Sequence, residues 1–236
     1  MKSYAFRPWH LLAVLVTCEL GFGALYWLGA HTGGPSVDHL YDLDQEANVP
    51  AWFSSMQLFC VAAVIALFGP RALRSVGVPV FVPLVAAAAF LFLSMDEIAQ
   101  VHERVGRELK GSAVPQVRNG RGAWVFVYIV VALPFLYLGL RYLAAMWRGY
   151  PRLILYGALG CLCFAGGAMG IELIADQFIR GQGERDLYVL SVLAEEMLEM
   201  VGGTLILFGA THLALPQARP VYQWKPARSP LPASVA

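Results

Sequence analysis

Residues 187–213, LYVLSVLAEEMLEMVGGTLILFGATHL, are the stretch on which the reading of the fold turns. They are long enough to cross a hydrocarbon core, which takes about 20 helical residues. Yet Glu195, Glu196 and Glu199 fall in the first half of the run. A carboxylate at the centre of a spanning helix costs roughly 2.5 kcal/mol or more even on the gentlest insertion scale. A chain that keeps several is using them.

Five further apolar runs of spanning length lie at 9–30, 51–68, 78–97, 123–143 and 153–178. The composition agrees, since 58% of the 236 residues are hydrophobic, 14% are charged and the mean hydropathy is +0.59. These values belong to polytopic membrane proteins rather than soluble domains. The expected fold is all-α: a transmembrane bundle of about six helices over residues 1–215, with the lipid bilayer as its main partner. The net charge of +1 gives no basic excess for nucleic acid. Residues 216–236 are proline-rich and predict a disordered cytoplasmic tail.

Lys and Arg in short loops set orientation. Lys2 and Arg7, Arg71 and Arg74, Arg141, Arg148 and Arg152, then Arg219, Lys225 and Arg228 all fall on the side of the termini if six helices span. The first opposite loop holds Asp38, Asp42, Asp44 and Glu46 and no Lys or Arg. Both termini are therefore expected in the cytoplasm, in a bacterial inner membrane. Arg104, Arg107, Lys110, Arg118 and Arg121 dissent, because they lie in the outer loop after the third helix. The N-terminal run reads as an uncleaved first helix, since Glu19 interrupts it and no small-x-small cleavage site follows. Cys18, Cys60, Cys161 and Cys163 lie within helices and read as small apolar residues. Trp9, Trp27, Trp52, Trp124 and Trp147 fall near helix ends, as an aromatic belt requires.

The topology gathers the buried acids at one depth. Asp96, Glu97 and His102 end the third helix, Glu172 and Asp176 end the fifth, and Glu195 and Glu199 open the sixth, all in the outer half; Glu19 on the first helix is expected to form their floor. Helical phase puts Glu172, Asp176, Ala168, Ala165 and Cys161 on one stripe, and Glu195, Glu199 and Gly202 on another. Gly166 and Gly170 give a small-xxx-small spacing for close packing. If the third helix continues past Glu97, Asp96, Gln100, Glu103 and Arg107 form a polar stripe, with Glu103 and Arg107 as a surface ion pair.

Carboxylates and an imidazole converging from separate helices form the ligand set of bundle metal sites, and oxygen with nitrogen suits iron, manganese or zinc. The expected ligands are Glu19, Asp96, Glu97, His102, Glu172, Asp176, Glu195 and Glu199. Such a divalent metal ion could support chemistry on a small-molecule or lipid-like substrate. No Glu-x-x-His pair is present, and no Walker or dinucleotide fingerprint calls for a nucleotide cofactor. A second reading is a proton-coupled or cation transporter, since intramembrane acids also build ion pathways. A third makes the acids packing determinants of a structural or accessory subunit, protonated or paired with Arg180, Arg185 or the basic loop. The segment Ser94-Met95-Asp96-Glu97-x4-His102-Glu103 resembles a motif of uncharacterised bacterial multi-spanning membrane proteins, and the resemblance implies no activity.

Overall fold

The computed structural model describes residues 8–32, 39–45, 47–117, 121–181 and 183–215. Lys2, Arg7, Asp38, Glu46, Arg118 and the tail 216–236 lie outside the described residues. The elements are helices: α1 (Pro8–Thr32), α2 (Val49–Arg74), α3 (Phe81–Ala99), the short α4 (Val101–Glu108), α5 (Ala123–Gly149), α6 (Pro151–Phe178) and α7 (Arg185–Thr211). Helices α1, α2, α3, α5 and α6 are long and apolar enough to cross a membrane. Their outward faces are apolar too: Leu67, Val130 and Leu162 are 74%, 64% and 71% exposed. A water-facing surface does not tolerate that much continuous apolar area, and a spanning helix needs it.

Local chemistry sets the ends. The Asn48 side chain accepts the Ala51 amide at 3.0 Å and Pro50 occupies the first turn, so α2 starts there. Arg71 and Arg74 close its last turn, where cations complement the helix dipole. Tyr150 alone joins α5 to α6, and Pro151 opens the latter. Helix α5 runs through Pro134 as one element.

Helix α7, 27 residues long, is the bundle's spine. It runs antiparallel to α1: Arg185 Nη2 donates to the Ala30 carbonyl at 2.7 Å near one end, and the Trp9 and Phe208 rings lie 4.8 Å apart near the other. Two apolar clusters flank a polar middle. One joins Val61, Ile65, Met146, Ile206 and Ala210 on the side of the termini, and the other joins Tyr26, Leu43, Val189, Val192 and Met200 at the far end. Between α2 and α3, Ser55 Oγ donates to the Ser94 carbonyl at 2.7 Å and Ser94 Oγ to the Ser55 carbonyl at 2.9 Å. Such reciprocal hydroxyl bonds pin helices together where no water competes.

Three expectations from helical phase are corrected. First, α3 does not continue as one helix. Gln100 takes a left-handed conformation at φ 52°, and the chain restarts as α4, which dissolves the Asp96–Gln100–Glu103 stripe. Second, Gly166–Ile171 is a π-helical turn within α6. A π turn inserts a residue into the helical count, so Cys161 and Ala165 rotate to the exposed surface while Glu172 stays half-buried. Third, the close-packing glycines are Gly160, Gly167 and Gly202, not Gly166 and Gly170. A Cβ on Gly202 would lie 2.6 Å from the Phe164 amide nitrogen, whereas one on Gly166 or Gly170 would meet nothing within 4 Å.

Candidate functional site: a carboxylate cavity

A cavity of about 150 Å³ lies among α3, α4, α5, α6 and α7 and the loop ahead of α2. Asp96 and Glu97 of α3, His102 of α4, Glu172 of α6, and Glu195, Glu196 and Glu199 of α7 line it, with Leu93, Phe164, Met169 and Val192 as apolar wall. Six of the eight residues expected from the sequence are thus brought together. Glu196 joins them. Their convergence depends on the irregular turns. The break at Gln100 swings His102 back onto Asp96, and the π turn seats Gly167 against the Glu195 carbonyl, where a Cβ would lie 2.5 Å away.

Asp96 organises one wall. It is 5% exposed; its Oδ1 accepts the His102 amide at 2.9 Å, capping the first turn of α4, and its Oδ2 lies 3.3 Å from His102 Nδ1. Tyr128 of α5 donates its hydroxyl to the same Oδ2 at 3.0 Å. A carboxylate holding an imidazole by Nδ1 is the arrangement that orients histidines at metal sites. Trp124, one turn before Tyr128, donates Nε1 to Glu172 Oε1 at 3.1 Å, and its ring lies tilted against that of His102, with the centroids 4.9 Å apart. Ser54 of α2 lies near Glu97.

The sequence places Trp124 in the aromatic belt. Trp124 is instead 7% exposed and belongs to the site, whereas Trp9, Trp27, Trp52 and Trp147 are exposed as a belt requires. The signal available was the i, i+4 spacing of Trp124 and Tyr128, two aromatic donors on one face of a helix without acids. Tyr128→Phe is expected to destabilise the fold by about 1.5 kcal/mol, the low end for a hydrogen bond to a charged group. Thermal unfolding of the purified protein checks this, and an unchanged midpoint means that the hydroxyl carries no load.

Arg180 covers the cavity at the α6–α7 turn. Its Nη1 lies 3.0 Å from Asp176 Oδ1 and its Nη2 3.7 Å from Glu195 Oε2, while Arg121 Nη1 reaches the same Asp176 oxygen at 3.3 Å. Burial works against the Arg180 charge, but the surrounding carboxylates, Asp176 foremost, outweigh it and hold its pKa above the ordinary guanidinium value.

Two expected ligands lie elsewhere. Asp176 does not line the cavity; it is 3% exposed, and its Oδ1 pairs with Arg121 and Arg180. Glu19, fully buried, is not the cavity floor: it is hydrogen-bonded to Gln57 of α2 and Thr204 of α7, outside the lining. Among the described residues, no three His, Cys, Asp or Glu side chains stand close enough together to hold a metal ion as they are placed. Glu103 and Arg107 form the exposed i, i+4 ion pair at 2.9 Å that their spacing predicts.

These features define an all-helical bundle of membrane-spanning build, with acids from separate helices gathered around one internal cavity. The chain belongs to the family described as a domain of unknown function, DUF8692, whose model matches residues 10–214. No curated protein and no solved structure matches it.

Proposed function

We propose that this chain is a six-span inner-membrane protein that binds a divalent metal ion in the carboxylate cavity and acts there on a lipid-like substrate. One observation carries the reading: the lining sets the carboxylates of Asp44, Asp96, Glu97, Glu103, Glu172, Glu195, Glu196 and Glu199 against a single guanidinium, Arg180, and a single imidazole, His102. Such an excess of acidic groups around one cavity, two of them buried and the rest mostly half-buried, favours bound cations. The donors are oxygens with one imidazole, which suits iron, manganese or zinc. Asp96 orients His102, Trp124 orients Glu172, and Glu199 approaches from α7. As placed, no three of them stand within metal-ligand reach of one another, so binding would require these side chains to move closer together. A metal held by these residues would supply Lewis-acid chemistry.

Counting α7 as the sixth span rests on its antiparallel pairing with α1, which it meets near both ends. Six spans put both termini in the cytoplasm and the cavity in the outer half. The basic loop that opposes this orientation has two of its arginines engaged by acids, Arg107 by Glu103 and Arg121 by Asp176.

The test is elemental analysis of protein purified without chelator. Near-stoichiometric metal is expected in the wild type, with about tenfold or greater loss of affinity in Glu172→Gln and Glu199→Gln, as for the loss of groups that support a metal site. Metal-free wild type sinks the reading. A second reading, a proton-coupled or cation carrier, is favoured by the buried polar residues of α2, Ser54 and, one turn on, Gln57, which donates to Glu19 at 2.9 Å. Cation flux in proteoliposomes that is lost in the same variants selects it.

A further inference from the structure

Glu19 is fully buried on α1, on a chain face that the cavity does not reach. Its Oε1 accepts Gln57 Nε2 at 2.9 Å and Thr204 Oγ1 at 2.5 Å, and Gln57 Nε2 also reaches Thr204 Oγ1 at 2.6 Å. Every donor of this three-helix junction is thereby directed to Glu19 Oε1 or Thr204 Oγ1. The other atoms of the two linked groups, Glu19 Oε2 and Gln57 Oε1, are buried acceptors with no hydrogen-bond partner. Gln57 is 3% exposed and Thr204 is fully buried.

Two orphan acceptors on a pair of side chains already bonded to each other lack a positive centre. A buried acceptor left unpaired costs about 1–3 kcal/mol, and a buried carboxylate without a counter-charge costs more. The helices that pack here supply no cationic side chain. Helix α2 carries no Lys, Arg or His before Arg71, α7 has no ionisable residue between Glu199 and His212, and on α1 the histidines His10 and His31 stand near the helix ends. Cys18 is exposed on α1, and Cys60 is half-buried one turn along α2 from Gln57. Gly203 completes the setting, because a Cβ there would stand 3.1 Å from Gln57 Oε1, and glycine leaves that oxygen uncovered.

We propose that Glu19, Gln57 and Thr204 form a second, deeper site that binds one small monovalent cation, a proton or Na⁺, at the unpartnered buried oxygens Glu19 Oε2 and Gln57 Oε1. The carboxylate, amide carbonyl and hydroxyl are hard oxygen donors, which fit either ion and not a soft metal. The ion ties α1 to α2 and α7, and the site does not depend on a metal in the cavity.

Glu19→Gln is the discriminating variant. Its amide N–H takes the place of the missing positive centre beside Gln57 Oε1, so the variant folds without the ion. The unfolding midpoint of the full chain in detergent is measured in NaCl against choline chloride at equal ionic strength, and then across pH without Na⁺. A saturable rise with Na⁺ in the wild type that is lost in Glu19→Gln supports the site and identifies Na⁺. Absence of a Na⁺ response, with a wild-type midpoint that falls more steeply than that of Glu19→Gln as pH rises, supports it and identifies a proton, because a proton held only by the folded state stabilises less as pH rises. Parallel responses of wild type and Glu19→Gln to both variables overturn the proposal. If Glu19→Gln does not fold, Thr204→Val, which removes one donor to Glu19 and keeps the shape, must shift the midpoint of the ion dependence; an unmoved dependence overturns it equally.

Discussion

Gly202→Ala is expected to destabilise the bundle by about 3 kcal/mol, at the upper end for overpacking. The new Cβ would lie 2.6 Å from the Phe164 nitrogen, 2.7 Å from the Gly160 carbonyl oxygen and 2.9 Å from the Phe164 Cα. All three are backbone atoms of α6, so no side-chain rotation relieves the clash and the two helices must part. At roughly 2–4 °C per kcal/mol for a chain of this size, the unfolding midpoint should fall by about 6–12 °C. The separation would also loosen the cavity, since the same helix pair carries Glu172, Glu195 and Glu199. Gly166→Ala is the control. It adds the same methyl group where nothing lies within 4 Å, and its effect should stay within about 0.5 kcal/mol. Equal midpoints for the two variants would show that α6 and α7 do not meet through Gly160 and Gly202.

Arg180→Met should cost a similar amount by a different route. Arg180 stands 3.0 Å from Asp176 and 3.7 Å from Glu195, whose side chains are 2% and 11% exposed. Taking one partner from a buried ion pair costs about 3–5 kcal/mol, because the remaining charge stays desolvated and unpaired. Arg121 still reaches Asp176 at 3.3 Å but is itself 48% exposed, and Glu195 loses its only ion-pair partner among the described residues. The lower value, about 3 kcal/mol, is therefore expected. Arg107→Gln breaks the equally short pair with Glu103, whose members are 62% and 44% exposed, and should change stability by no more than about 0.5 kcal/mol. Chemical denaturation of both variants in micelles compares them directly. A small effect for Arg180→Met would mean that water enters the cavity mouth and screens the acids there.

Much of this architecture is written in apolar length. Runs of about 20 apolar residues can only be satisfied as lipid-facing helices, and the runs at 51–68 and 123–143 lie inside α2 and α5. Helix α7 shows how an exception is read, since its length matches α5 while Glu195, Glu196 and Glu199 set its composition apart from the five apolar helices. Part of the site was legible for the same reason. Acids are too costly in such helices to face lipid, so Asp96, Glu97, Glu172, Glu195 and Glu199 had to turn inward.

The sequence by itself determined the helical class, the approximate spans and the inward set of acids, because length and burial cost are sums over local composition. Only the tertiary structure decided which acids meet. The left-handed turn at Gln100 and the π turn at Gly166–Ile171 reset the helical phase in ways that a regular 3.6-residue count cannot foresee. They bring His102 onto Asp96 and set Glu172 beside Trp124, while Glu19 finds Gln57 and Thr204, residues 38 and 185 positions away in the chain. Such partners are chosen by which helix faces touch, and that choice belongs to packing among all the helices rather than to any one of them.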